Sequence, residues 1–316
     1  MSAYMQTDSE KQAGFRDPAV LLPFLLITLI WSSTWIVIKD QLGAVPPPWS
    51  VAYRFLIGAA AMFVLARLGG QSVRIGMAGH RLAVMTGLLQ FVLNYNLVYA
   101  AELFITSGLA AVVFALLVLP NAILARLFFG ERVTSGFILG SAVAMAGVAL
   151  LFVQEARQAT VPLEAVLAGL GLTALGVLAA SVSNVMQLAE GMRSRSIAVM
   201  LAWAMLYGGL MDAVFAWAAH GPPVVEARIG YWIGLLYLSV IASALAFWLY
   251  YRIIRSVGPA RAAYSSVLIP IIAMAISTVA EGYRWSALAL AGGFLGIAGL
   301  VVALRTRRVT PPPPAD

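Results

Sequence analysis

Cysteine is absent from this chain, histidine occurs twice, and charged residues make up only 10% of the sequence. Without cysteine there are no disulfides and no thiolate metal sites, and the redox compartment leaves no mark. The two histidines, His80 and His220, fall in predicted loops on opposite sides, and no HExxH pattern occurs, so a zinc-hydrolase site has no ligands to draw on. Scarce charge excludes an ordinary soluble domain, where about 25% of residues are charged and about 45–50% apolar. Here 62% are hydrophobic, with a mean hydropathy of +0.92. The net charge of +7 has no basic face behind it. Lys and Arg stand singly or in twos and threes between apolar runs, which orients a protein in a bilayer and does not track phosphates. No nucleic-acid partner, metal or cofactor is expected, and the partners that remain are membrane lipids and a small molecule.

What is present is a series of apolar runs of membrane-spanning length. A helix rising 1.5 Å per residue needs about 20 apolar residues to cross a hydrocarbon core of about 30 Å. That window gives ten spans, at Ala19–Ile38, Trp49–Leu68, Leu82–Ala101, Ser107–Phe128, Thr134–Val153, Leu163–Ala189, Ile197–Ala219, Gly230–Tyr251, Val257–Ala280 and Ser286–Leu304. The first run follows Lys11 and Arg16 but has no small-residue cleavage site, so it reads as a retained span. With the N-terminus inside, fifteen basic residues fall in inner segments. Only Lys39, Arg157, Arg228 and Arg284 fall in outer ones, a strong positive-inside bias. The expectation is an all-α integral membrane protein of the cytoplasmic (inner) membrane, with both termini cytoplasmic.

The second half repeats the first at an offset of 150 residues. Gly108 corresponds to Gly258, Pro120 to Pro270 and Glu131 to Glu281, and Gly140 and Gly147 match Gly292 and Gly299 after a two-residue insertion. Five spans per half is an odd number, so the second half must enter the membrane from the other side. Inverted five-helix repeats of this kind typify secondary transporters, which bind substrate near the midplane where the halves meet. The predicted division is a cytoplasmic tail at 1–18, a first repeat at 19–155, a second, inverted repeat at 156–305, and a proline-rich cytoplasmic tail at 306–316.

The stretch from Ser107-Gly-Leu-Ala-Ala through Pro120 to Gly130-Glu131-Arg132, with the glycine-spaced fifth span, resembles the drug/metabolite transporter superfamily, and more narrowly its EamA branch. Trp31-Ser32-Ser33-Thr34 and Arg54-Phe55 fit the same pattern, and the resemblance covers about residues 19–305. The second half departs from it at Arg261, where the first half has Ala111, and at Glu281-Gly-Tyr-Arg. The resemblance implies export of small metabolites, amino acids among them.

Pro120 and Pro270 are the expected hinges. A helix-interior proline removes a backbone hydrogen bond, and interruptions at matching positions of two repeats point to a transport site. Asn121 follows the first of them. In the third span Gln90 and Asn94 share a face beside the aromatic stripe of Phe91, Tyr95 and Tyr99, an arrangement suited to a small zwitterion with a variable side chain. Helix-to-helix hydrogen bonding is the alternative there. The sixth span offers Ser181, Asn184 and Gln187 on one face, the first span Trp31 and Ser32, and the eighth Ser243 and Trp248. A serine alone more often bonds back to its own helix. Tyr99 and Trp248 are candidate gates, whereas Trp49, Trp232 and Tyr250 read as interfacial anchors. Arg54 and Asp212 are the charges within spans, both within about two turns of the outer surface, where long side chains can snorkel; mutual pairing is the alternative. No Asp, Glu or His lies near a midplane, so no carboxylate proton relay is visible, with Glu102 the nearest exception.

An intramembrane enzyme would need a nucleophile with a base, a metal cluster or paired aspartates, and Asp212 stands alone. A channel would need a continuous polar path. The mixed amide and aromatic faces suit an occluding site instead, so the reading is a secondary transporter working by alternating access. Drug or lipophilic-cation efflux and a channel-like facilitator remain as alternatives. The GxxxG spacings at Gly136/Gly140 and Gly292/Gly296 are assigned to packing inside the bundle, so a monomer is expected.

Overall fold

A computed structural model describes residues 18–43, 45–130, 135–158, 162–257, 265–280, 282 and 285–306. Glu131, Arg132, Gly258, Arg261, Glu281 and Arg284 lie outside these residues, as do Lys11 and Arg16 in the first tail and Arg307 and Arg308 in the second. Among the described residues the chain is helical, with one isolated bridge between Leu42 and Val45.

Helix α1 runs Pro18–Gln41 and α2 runs Pro47–Leu68. Proline suits the start of α2, because the first N–H groups of a helix have no intrahelical partner to lose. The third apolar stretch comprises α3 (Gly76–Thr86), a π-helical segment π1 (Gly87–Leu93) and α4 (Asn94–Ala101). The fourth comprises α5 (Ser107–Ala115) and α6 (Val118–Phe129). The Thr106 side chain caps α5 by accepting from the Leu109 N–H at 3.4 Å, and Gly130 ends α6 with φ +67°. Then follow α7 (Ser135–Gln158), α8 (Leu163–Met186), the single turn α9 (Glu190–Arg193) and α10 (Ile197–His220). The eighth stretch is α11 (Ile229–Leu236), π2 (Tyr237–Leu245) and α12 (Ala246–Val257). Helices α13 (Ser265–Ala280) and α14 (Ala287–Thr306) complete the description.

Seven of these helical stretches are long and apolar enough to cross a membrane: Val20–Gln41, Pro47–Leu68, Gly76–Ala101, Ser107–Phe129, Leu163–Met186, Ile197–His220 and Ile229–Ile253. Two further apolar stretches, Ile138–Leu151 and Ala287–Gly299, are shorter. The expected ninth span is described only over the 16 residues of α13. Large apolar side chains such as Leu22, Leu29, Phe128, Leu139, Val214, Ile233 and Phe294 face outward from the bundle. A soluble protein rarely leaves apolar surface on that scale, whereas lipid favours it. The chain is a multi-pass membrane protein.

Packing follows a regular scheme. Helix α2 lies against α10, α7 against α14, and α5 against α13. Helix α4 lies against α8 as α12 does against α1, and π1 lies against α10 as π2 does against α2. Small residues permit the closest approaches. A Cβ built on Gly87 would stand 2.6 Å from the Ala204 carbonyl of α10, and one on Gly209 would stand 2.9 Å from Leu56 of α2. Between α7 and α14 a Cβ on Gly147 would overlap the Gly296 nitrogen, and one on Gly299 would overlap Ala144. The glycine stripe is therefore occupied within the bundle.

Candidate functional site

Spans of α1, α2, α4, α5, α6, α8, α12 and α13, with π1, enclose a cavity with about 960 Å³ of empty space, its open mouth included. Trp31, Thr34, Trp35 and Ile38 come from α1, and Gln90, Asn94, Tyr95 and Val98 from the third stretch. Phe114, Val118 and Asn121 come from the fourth, Asn184 from α8, Phe247 and Tyr250 from α12, and Ile269 and Pro270 from α13. Arg54 of α2 completes the wall.

The aromatic side chains brace one another. Trp31 meets Tyr250 edge-on at 5.0 Å and Phe247 at 5.5 Å, and Trp35 meets Phe114 at 5.7 Å. The Trp31 indole N–H donates to the Ala242 carbonyl of π2 at 3.1 Å, which fixes that ring across the two halves of the chain. The amides are less satisfied. Gln90 and Asn94 are 4% and 3% exposed, and Asn94 Nδ2 donates only to its own helix, at the Gln90 carbonyl, 3.3 Å away. The side-chain carbonyl oxygens of Gln90, Asn94 and Asn121 are buried with no hydrogen-bond partner.

Arg54 is 1% exposed. Its Nε donates to Ser243 Oγ at 2.9 Å and its Nη1 to the Tyr99 hydroxyl at 3.4 Å, and the guanidinium lies 4.5 Å from the Tyr95 ring centre. Hydrogen bonds to a charged group contribute about 1.5–3 kcal/mol each and a desolvated cation–π contact about 2 kcal/mol. Burying an ion costs several kcal/mol, so these contacts orient and partly offset the charge without neutralising it. From Tyr99 the chain of bonds continues outward along the bundle. Tyr99 donates to Gln41 Oε1 at 3.2 Å, and Gln41 Nε2 reaches the Tyr231 carbonyl at 3.5 Å. At the same end Lys39 donates to the carbonyls of Glu102 and Ile105, and Arg228 holds both oxygens of Asp40 at 2.9 and 3.1 Å.

The structure gathers Trp31, Gln90, Asn94, Tyr95, Asn121, Asn184 and Pro270 around one cavity and leaves the other expected residues out of its wall. Ser32 donates back to the Thr28 carbonyl at 2.6 Å, the serine habit that makes it a packing residue. Ser181 is fully buried in α8, away from the cavity, with no partner for its hydroxyl. Ser243 and Tyr99 act one step back, by holding Arg54. Trp248 stands outside the wall with Arg252 over its ring at 4.6 Å.

The two prolines also differ. The carbonyl of Leu116, which Pro120 cannot bond, is taken by the Leu119 N–H at 2.8 Å, and the helix breaks between α5 and α6. Pro120 itself stays out of the wall, whereas Pro270 lies in it, inside the unbroken α13. The suggested pairing of Arg54 with Asp212 is absent: Asp212 instead accepts from Asn96 Nδ2 at 2.6 Å. Arg54 and Tyr250, expected from the sequence as a snorkelling charge and an interfacial anchor, are wall residues. A position near the span ends points to lipid, but both side chains are buried, Arg54 at 1% and Tyr250 at 9% exposure.

Two successive matches to the EamA-like transporter family cover residues 19–153 and 167–305. Protein PagO of Salmonella typhimurium is 22% identical, the alignment covering 86% of this chain and 88% of PagO. A probable amino-acid metabolite efflux pump of the same organism is 25% identical over 90% of this chain and 95% of its own. A probable terminal-alkyne amino-acid exporter of Streptantibioticus cattleyicolor is 29% identical over 68% of each chain. One solved crystal structure superposes with a TM-score of 0.66 at 21% identity, covering 92% of this chain and 97% of that one, which speaks to the fold alone. With a family match over each half and an all-helical membrane bundle around a polar and aromatic cavity, this chain belongs to the EamA-like transporter family.

Proposed function

We propose that the protein exports small zwitterionic metabolites, amino acids foremost, across the cytoplasmic membrane by alternating access. The carrying observation is the cavity itself, in which helices from both halves of the chain bring buried amides and aromatic rings to one place. Amino-acid export rests further on the names of two relatives, the efflux pump and the alkyne amino-acid exporter. Ten spans in two inverted halves with both termini cytoplasmic is the topology we propose. It is supported by the paired packing of α4 on α8 with α12 on α1, and by π segments that begin 150 residues apart, at Gly87 and Tyr237. In the cycle, substrate enters between the halves, the halves rock, and the site opens on the other face. A lipophilic-cation carrier would share the aromatic wall, but the buried Arg54 charge opposes a cation there.

Counterflow in proteoliposomes tests this reading with a panel of amino acids, nucleosides and lipophilic cations, each with and without a proton gradient. Amino acids are expected to exchange. Exchange of lipophilic cations or nucleosides without any amino acid would sink the assignment. Asn94→Leu is expected to lower flux roughly tenfold, the equivalent of about one hydrogen bond, with membrane insertion unchanged.

A further inference from the structure

We infer that Arg54 is the carboxylate-binding group of the cavity, and that the side-chain oxygens of Gln90, Asn94 and Asn121 receive the ammonium group of the same substrate. This rests on the transporter reading above and names the chemistry by which that site selects its cargo.

Arg54 stands in the cavity wall, and every recorded partner of its guanidinium is neutral: the hydroxyls of Ser243 and Tyr99, and the rings of Tyr95 and Phe55. Among the described residues no carboxylate forms an ion pair with it. A guanidinium carries five N–H donors in a planar fork matched to two oxygens of one carboxylate. Ser243 occupies Nε and Tyr99 one side of Nη1, which leaves Nη2 with no recorded bond. An arginine cannot shed its proton, so a buried one without a counter-ion is completed only by an anion brought from outside.

The nature of that anion follows from the rest of the wall. Gln90, Asn94 and Asn121 line the same cavity, and each carries a buried acceptor oxygen with no partner. Buried acceptors need donors. A simple carboxylate answers Arg54 but brings no donor to these oxygens, and an amine answers the oxygens but is repelled by Arg54. A zwitterion with a free carboxylate and a free ammonium satisfies both sets at once, and its side chain then lies against Trp31 and Tyr250.

The test uses the full-length protein in proteoliposomes. For each amino acid that exchanges, its C-terminal amide and its N-acetyl derivative compete against it; the first lacks the carboxylate and the second the ammonium. Both are expected to compete about tenfold or more weakly than the parent, because a site built for polar groups rejects analogues that leave those groups unpaired. In Arg54→Gln the amide is expected to compete as well as the acid, while discrimination against the N-acetyl form persists. Arg54→Lys keeps the charge but loses the fork, and is expected to recover part of the preference. An amide that matches its acid in the unaltered protein, or an Arg54→Gln variant that still prefers the acid, would overturn the inference and leave amino-acid transport standing. Exchange by no amino acid at all would overturn both. The comparison in the unaltered protein decides the matter even where a variant fails to insert.

Discussion

Asp212 keeps one carboxylate oxygen on the Asn96 amide and has no recorded partner for the other, and the residue is fully buried between α10 and the third helical stretch. Such a group is sensitive to the loss of its one donor. Asn96→Leu is expected to destabilise the protein by about 1–3 kcal/mol, whereas Asp212→Asn, which keeps the shape and the acceptor oxygen, is expected to be tolerated far better. Thermal unfolding in detergent compares the two; equal losses would mean that Asn96 acts by packing alone. At this scale the sequence is read well where spacing alone decides. Gln90 and Asn94, four residues apart, share the cavity wall, and Asn96 points away from it. Arg54 and Tyr250 escape such reading because their surroundings come from helices distant in sequence: Ser243 lies 189 residues from Arg54.

Among the helices, glycine decides how near two axes come. At Gly147 the opposing atoms are the backbone of Gly292 and Gly296, which cannot swing aside as a side chain would. Gly147→Val is expected to cost about 1–3 kcal/mol through overpacking and to lower the unfolding temperature, while Gly171→Val, where a Cβ meets nothing within 4 Å, is expected to change it little. Circular dichroism melts of the two variants check this, and parity between them would remove the close-packed seam from the account. The glycine spacings announce such a seam in the sequence, as apolar run lengths announce the helices. The π segments are not announced, because Gly87–Leu93 and Tyr237–Leu245 carry ordinary apolar composition and their extra residue per turn arises from packing. Nor does a proline reveal how its freed carbonyl is answered, so Pro120 and Pro270 look equivalent until Leu119 is seen to close the turn before the first.

For the whole molecule the absence of cysteine is an experimental gift, since any introduced thiol is the sole one. Under the proposed topology Ser72→Cys, in the loop after α2, reacts with a membrane-impermeant maleimide only from the cytoplasmic side. Pro222→Cys, in the loop after α10, reacts only from the outside. Labelling of both from one side would break the inversion. The alternation of basic loops carries this topology in the sequence, and no single residue does. The tight joining of the two halves has a mechanical consequence. Backbone meets backbone between α7 and α14, and again where α10 lies on π1 and α2, so the halves are pinned together at two separate places. A body fastened at two points turns only about the line through them. Under the proposed alternating access, motion takes the form of a seesaw whose pivots are glycines, in which widening at one membrane face goes with narrowing at the other.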